Sequence, residues 1–351
     1  MSALKRYVMR CLAQVALGPA CLAFAVAPAH AESGAPTHAT TRVHGTQILH
    51  RQNLHPVRYA ADSHGVLTRA SLSQPGAGTQ LPSAVSPRSE DLGIKPLTGK
   101  ASLRSEIAYV QDLATATVLY NKNADDTPRP IASISKLMTA LVVTEAGLPM
   151  DEVMQITEAD VDRMRHSSSR LRVGTELNRG DMLHLALMSS ENRAAHALGR
   201  YYPGGLPAFV RAMNDKARAL GMRNTRFVEP TGLSSENVST ARDLVKLLQA
   251  VSKQPLIRRY TTDDRYELQV GKGRQLVYNN TNRLVRNDNW DIRISKTGFI
   301  NEAGECLVML TRIGDRDLAI VLLNSSGRYS RIGDAVRLRN LVENSNAIAM
   351  L

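Results

Sequence analysis

Three short groups of residues in this 351-residue chain place reactive side chains at fixed, close spacing. In the first, Ser133 and Lys136 enclose Ile134 and Ser135. Three residues make nearly one helical turn, so a hydroxyl and an amine at this spacing share a face. A serine needs a base to become a nucleophile, and a lysine serves if burial or a neighbouring cation lowers its pKa. The stretch SISKLMTALVVTEAG from Ser133 predicts a helix that is apolar nearly all round, so Lys136 is expected to be withheld from water. At the helix start, Ser133 would also sit near free N–H groups and the positive end of the dipole. In the second group, Ser190, Glu191 and Asn192 form a polar joint between two helical stretches, able to aim a hydroxyl and an amide into a cleft. In the third, Lys296, Thr297 and Gly298 follow the β-prone run Asp291 to Ser295. The lysine and threonine offer a charge and a hydroxyl to a carboxylate. Gly298 is expected to leave space for a substrate along the strand edge.

Each pattern alone says little. Ser2-Ala3-Leu4-Lys5 repeats the first spacing near the N-terminus, and Ser235-Glu236-Asn237 repeats the second in a turn-rich stretch where capping is the better reading. The joint order, with starts at 133, 190 and 296, is the informative feature.

The elements that must position these groups are legible in outline. Order begins near Leu103. Ile107 to Val110 and Thr117 to Tyr120 read as a hairpin. Residues 150 to 285 read as alternating helices and turns. Asp181 to Met188 is one helix, Arg193 to Tyr201 another, and a third opens at Thr240 with capping-box spacing. Strands return at Ile292 to Ser295, Cys306 to Thr311 and Leu318 to Leu323, before a last helix over about 329 to 344. Strands at both ends with helices between imply one sheet built from the two chain ends, with a helical insertion beside it.

The wording around the three motifs resembles one family. Arg129-Pro130-Ile131-Ala132-Ser133-Ile134-Ser135-Lys136-Leu137-Met138-Thr139-Ala140 is similar to the active-serine region of the low-molecular-mass penicillin-binding proteins, the D-alanyl-D-alanine peptidases. Ser189 to Ala195, Pro230-Thr231-Gly232-Leu233 and Lys296-Thr297-Gly298-Phe299 continue the likeness, which spans about residues 100 to 345. The resemblance implies an α+β, β-lactamase-like fold: an antiparallel sheet flanked by helices, with an inserted helical subdomain and a cleft between them. It implies that Ser133 attacks a D-alanyl carbonyl of peptidoglycan, that Lys136 takes its proton, and that Ser190 relays a proton to the leaving amine. Asn192 would hold the substrate amide, Lys296, Thr297 and Gly298 would bind the substrate, and the N–H groups of Ser133 and Phe299 would form the oxyanion hole. No metal or organic cofactor is implied, and β-lactams would trap Ser133.

Within the family, D,D-carboxypeptidases usually carry a β-rich C-terminal domain. Here 53 residues follow Gly298, and the last strands and helix of the catalytic domain are expected to use them. This, with the Met-Ser-Ser-Glu-Asn-Arg-Ala-Ala wording, resembles the branch of endopeptidases that cut D-alanine–diaminopimelate cross-links. Carboxypeptidase is the alternative. A β-lactamase would need a base for fast deacylation; Glu229, before Pro230, lies where a peptidase of this family normally has an acid. A non-catalytic sensor of β-lactams or muropeptides would keep the cleft and turn over slowly.

Composition sets the outer bounds. Charged residues are 22% and hydrophobic residues 43%, values of a globular protein. Aromatics are only 4%, with one Trp, which argues against a base-stacking platform and nucleic-acid binding. The +12 net charge fits an anionic partner, without naming one. Lys5, Arg6 and Arg10, an apolar run to residue 28 and Ala29-His30-Ala31 predict a secretory signal over 1–31 and a periplasmic destination. Neither Cys11 nor Cys21 lies in a lipoprotein pattern. Cleavage would leave Cys306 as the one cysteine, expected to be a buried hydrophobe. Residues 32–98 are rich in small and polar types without periodicity, and are expected to be a disordered, weakly basic tail before a catalytic domain over 99–348. Its histidines (38, 44, 50, 55 and 64) are irregularly spaced, which favours a solvated tail over a metal tract. Peripheral association with the wall or membrane would follow from its charge.

Overall fold

A computed structural model describes residues 102–271 and 273–349. The signal and tail expected over 1–98 lie outside the described residues.

The chain opens with β1 (Ser105–Asp112) and β2 (Val118–Lys122), the expected antiparallel hairpin. A short strand β3 (Arg129–Pro130) leads through a 3-10 turn (Ala132–Ser135) into helix α1 (Lys136–Glu145). The pair β4 (Val153–Gln155) and β5 (Glu176–Asn178) precedes α2 (Arg179–Met188), α3 (Asn192–Arg200) and α4 (Gly205–Ala219). Next, β6 (Val238–Ser239) pairs back to β3, followed by α5 (Ala241–Val251) and α6 (Pro255–Thr262). The hairpin β7 (Arg265–Val270) and β8 (Arg274–Asn279) closes the insertion. Finally β9 (Asp291–Ile300), β10 (Gly304–Ile313), β11 (Arg316–Ser325) and α7 (Ser330–Ala349) complete the chain.

The large sheet runs β2-β1-β11-β10-β9, antiparallel throughout, so the first and last strands of the described residues meet at or beside the β1–β11 pair. Its central strands are apolar on both faces, and the two-residue period of a strand sorts them into two cores. Val308 and Leu310 face α1 and α5; Leu307 and Met309 face the layer of Ala335, Leu338 and Val342 on α7. Helix α1 is buried along most of its length because α2, α3, α4, α5 and α6 all pack against it. Caps set its neighbours: Asn178 Oδ1 accepts the Asp181 N–H at 2.7 Å at the start of α2, and Thr240 Oγ1 accepts the Asp243 N–H at 3.3 Å at the start of α5.

Three expectations change. The insertion is not only helices and turns, since β4–β5 and β7–β8 lie within it. Ser133 belongs to the 3-10 turn, and Lys136 is the first α-helical residue. Lys296-Thr297-Gly298 does not follow the strand but lies inside β9, where Gly298 pairs with Cys306; ladder pairing to β10 outweighs the low strand preference of glycine. Cys306 is buried as expected, and burial raises its thiol to about 11.

Candidate active site

The three motifs converge on one cleft between edge strand β9, the turn before α1, and the joint between α2 and α3. Two close approaches build its floor. Gly232 has φ +81°, and a Cβ there would lie 2.0 Å from Ala132 O. A Cβ on Gly298 would lie 2.9 Å from Ile131 O and 3.1 Å from Ser133 N. Gly298 is therefore needed to admit the protein's own Ile131–Ser133 backbone, rather than only a substrate as expected. Ala132 itself sits in the left-handed region at φ 48°, as does Ser190 at φ 62°. Both are strained for non-glycine residues, and both aim an adjacent or own side chain into the cleft.

Lys136 is fully buried. Its Nζ lies 2.8 Å from Ser133 Oγ, 2.7 Å from Asn192 Oδ1 and 2.6 Å from the Thr231 carbonyl. All three partners are neutral oxygens. Loss of hydration lowers the lysine to about 7, against an opposing pull from Glu229 and Glu191. Near neutral pH a large fraction of this amine is therefore uncharged and able to take the Ser133 proton.

A second lysine mirrors the first. Lys296, 1% exposed, donates to Ser190 Oγ at 2.9 Å and to Thr297 O at 2.8 Å. Burial, then the charges of Lys136 and Arg331, hold it well below the usual lysine range. Ser190 reaches it because α2 ends abruptly: Ser189 and Glu191 both donate to Leu185 O, and the chain reverses through Ser190. The Thr297 hydroxyl meets Thr281 Oγ1 at 2.6 Å. The expected residues Ser133, Lys136, Ser190, Asn192, Lys296, Thr297 and Gly298 are thus brought together. Phe299 is exposed at the cleft edge, and its N–H belongs to the peptide unit whose Gly298 carbonyl accepts from Arg331 Nη1 at 2.9 Å. Peptide planarity aims that N–H away from Arg331.

Asn192 has partners the sequence did not name. Its Nδ2 donates to Ser167 Oγ at 2.9 Å, while its Oδ1 accepts from Lys136. These bonds orient the amide, and the second Nδ2 hydrogen leaves a donor for a substrate amide, the use expected of it. Ser167, Arg331, Thr281 and Glu229 escaped the sequence reading as site residues. Only Glu229 carried a local sign, the Glu-Pro-Thr-Gly wording. Its carboxylate accepts the N–H of Thr231 and of Gly232 and the Thr231 hydroxyl, each at 2.6 Å, and Asn237 Nδ2 at 3.0 Å. These bonds hold the Thr231 carbonyl against Lys136. Arg331, from the distant helix α7, pairs with Glu305 and has no local sequence signature.

Residues 95–327 match the D-alanyl-D-alanine carboxypeptidase family, peptidase S11. The chain belongs to this family. It is 51% identical over 249 residues to a D-alanyl-D-alanine endopeptidase of Pseudomonas aeruginosa, covering 71% of this chain and 80% of that protein. Among solved structures it is similar to the Streptomyces K15 DD-transpeptidase, at 29% identity and a TM-score of 0.65, over 70% of this chain and 98% of the other. It is also similar to penicillin-binding protein D2 of Listeria monocytogenes in its cefotaxime-bound form, at 29% identity and a TM-score of 0.61, over 70% and 99% of the two chains. The expected β-lactamase-like α+β fold and the peptidase class follow from these matches.

Proposed function

We propose that the protein is a serine D-alanyl-D-alanine endopeptidase that opens D-alanine–diaminopimelate cross-links of peptidoglycan. The observation that carries this reading is the fully buried Lys136 amine, 2.8 Å from Ser133 Oγ and surrounded by neutral oxygens. Ser133 Oγ bonds to the D-alanyl carbonyl carbon and passes its proton to Lys136 Nζ. The N–H groups of Ser133 and Phe299 receive the developing oxyanion. The C–N bond then breaks, and the leaving amine gains a proton through Ser190, which Lys296 holds in place. Water attacks the resulting ester, giving a free D-alanyl carboxylate and restoring Ser133.

The 51% identity to an endopeptidase favours cross-link cleavage over the carboxypeptidase activity for which the family is named. The cefotaxime-bound relative supports capture by β-lactams. A β-lactamase is disfavoured because both Glu229 oxygens are already engaged by hydrogen-bond donors, leaving that acid poorly placed to activate a water. The signal expected over residues 1–31 would deliver the enzyme to the periplasm.

The test is incubation of purified protein with dimeric muropeptide, pentapeptide monomer and a labelled penicillin. Dimer cleavage with stable label on Ser133 supports the reading. Release of D-alanine from the monomer alone would select carboxypeptidase, and rapid penicillin hydrolysis a β-lactamase. Labelling without cleavage of either peptide would select a sensor.

A further inference from the structure

Arginines gather in a groove that shares no residue with the catalytic cleft. Two cavities of about 620 Å³ each meet at Arg258 and Arg293. One runs between α6 and the start of β9, and the other opens toward the β10–β11 turn and the end of β1. Pro255, Arg258, Arg259 and Thr262 line the first, and their i, i+3, i+4, i+7 spacing puts them on one face of α6. A bulge turns Arg293 toward that face: Leu310 pairs with Ile294 and then Thr311 with Ile292, so Arg293 is the extra residue. It stands about 10 Å along β9 from Lys296. Arg312 and Arg316 border the second cavity from the two arms of the β10–β11 hairpin.

The acids of the groove do not neutralise these arginines. Asp112 holds the turn after β1, accepting the N–H groups of Ala114 at 2.9 Å and Thr115 at 3.2 Å. Asp317 and Asp291 both turn to Arg293, at 3.1 and 3.8 Å. Among the described residues, Arg258, Arg312 and Arg316 form no ion pair, and the one remaining acid, Asp315, stands on the exposed β10–β11 turn. Three unpaired guanidinium groups are planar forks that fit carboxylate or phosphate oxygens. The setting selects between these. The groove is concave, and none of the exposed large apolar side chains among the described residues lies in it, so it lacks the insertion surface of a membrane-docking face. It suits an extended peptide that carries carboxylates. The proposed reaction generates such a peptide, because each cut leaves a free D-alanyl carboxylate near the one that diaminopimelate already bears.

We propose that this groove is a second binding site for wall peptide, which holds an uncross-linked stem by its carboxylates while a different stem occupies the cleft. The site rests on the peptidase reading and adds to it a means of keeping the enzyme on wall that has already been cut. Arg258, where the two cavities join, meets one carboxylate, and Arg312 and Arg316 meet the next.

The full chain is first acylated with a small penicillin, which fills the cleft and reports on Ser133. Binding is then measured for an uncross-linked tetrapeptide stem, for the same stem with its carboxylates amidated, and for phosphatidylglycerol vesicles. The acylated wild-type protein is expected to bind the free stem at least about tenfold more tightly than the amidated one. The double variant Arg258→Glu, Arg316→Glu is expected to weaken binding of the free stem about tenfold or more, with the rate of penicillin labelling unchanged. Equal binding of the two stems, or a variant that binds the free stem as the wild type does, would overturn the site and leave the peptidase reading standing. Capture of vesicles without the stem would overturn it in favour of a lipid surface. A protein that penicillin does not label would overturn the peptidase reading, and this site with it.

Discussion

Two kinds of buried cation occupy this molecule, and they are treated in opposite ways. Arg179, 2% exposed at the start of α2, meets the Glu152 carboxylate at 2.6 Å and the Pro149 carbonyl. Arg200 likewise shares the buried Asp160 carboxylate with His196. Lys136 and Lys296 are at least as deeply buried, yet their hydrogen-bond partners are hydroxyl, amide and carbonyl oxygens without charge. Where a cation supports structure, a carboxylate offsets its lost hydration. Where it serves chemistry, no carboxylate is in contact and the amine is pushed toward neutrality. Glu191 and Glu229 are near enough to pull Lys136 upward, but their oxygens are spent on other donors. The catalytic centre is therefore held by the fold at some cost, and neither Arg179 nor Arg200 touches Ser133, Lys136 or Lys296.

This contrast can be broken at several points. The largest effect is expected from Ser133→Ala, which should remove penicillin labelling and cut peptide cleavage by a factor of about 10⁴ or more, measured by intact mass and dimer turnover. Lys136→Met should slow acylation by about 10³-fold while the protein still folds, with stability lowered by about 1–3 kcal/mol because Asn192 Oδ1 and the Thr231 carbonyl lose their donor. Acylation at the wild-type rate in the folded protein would remove the lysine from the chemistry. Asp160→Asn should destabilise the protein while sparing the chemistry, costing about 2–4 kcal/mol in denaturant unfolding because Arg200 loses its carboxylate partner and the His196 Nδ1 and Thr157 N–H lose a charged acceptor, with Ser133 labelling retained in the folded fraction.

A smaller effect separates the regions by pH. His184 is buried between the rings of Tyr260 and Tyr266, with centroids 4.3 and 4.1 Å away, and burial lowers it to about 4, with help from Arg259. Its unfolded value is near 6.5, so the unfolded chain binds the extra proton between these limits. The contribution is complete above about pH 6.5, falls with pH through that window and is lost below 4. A decline of about 2 kcal/mol is expected. His184→Phe should flatten this part of the stability curve, and an unchanged slope would assign the acid sensitivity elsewhere.

The sequence made the chemistry more visible than the geometry that makes it work. Ser133 and Lys136 are local, and one helical turn reports their proximity whether that turn is 3-10 or α. The apolar run around them also forecast the lysine's burial. The groups that tune them are remote. Ser167 reaches Asn192 from a loop 25 residues away, and Arg331 reaches Gly298 across 33 residues. Neither position has a pattern that spacing could reveal. The β7–β8 hairpin was hidden for another reason. Its alternating Arg-Tyr-Glu-Leu-Gln-Val run is short and half polar, and only packing of Tyr266 and Tyr278 against the α2 region fixes it as a strand pair. Gly298 shows that a correct residue can be read for an incomplete reason, since the nearest obstacle to a side chain there is the turn that carries Ser133.

The rate of Ser133 acylation by a penicillin, followed from pH 5 to 9, tests most directly whether a neutral Lys136 is the base. The expected rate rises with pH, bends near 7 where the buried amine loses its proton, and levels above it. A rate independent of pH across this range, at unchanged fold, would contradict the claim that burial of this lysine is what makes the serine react.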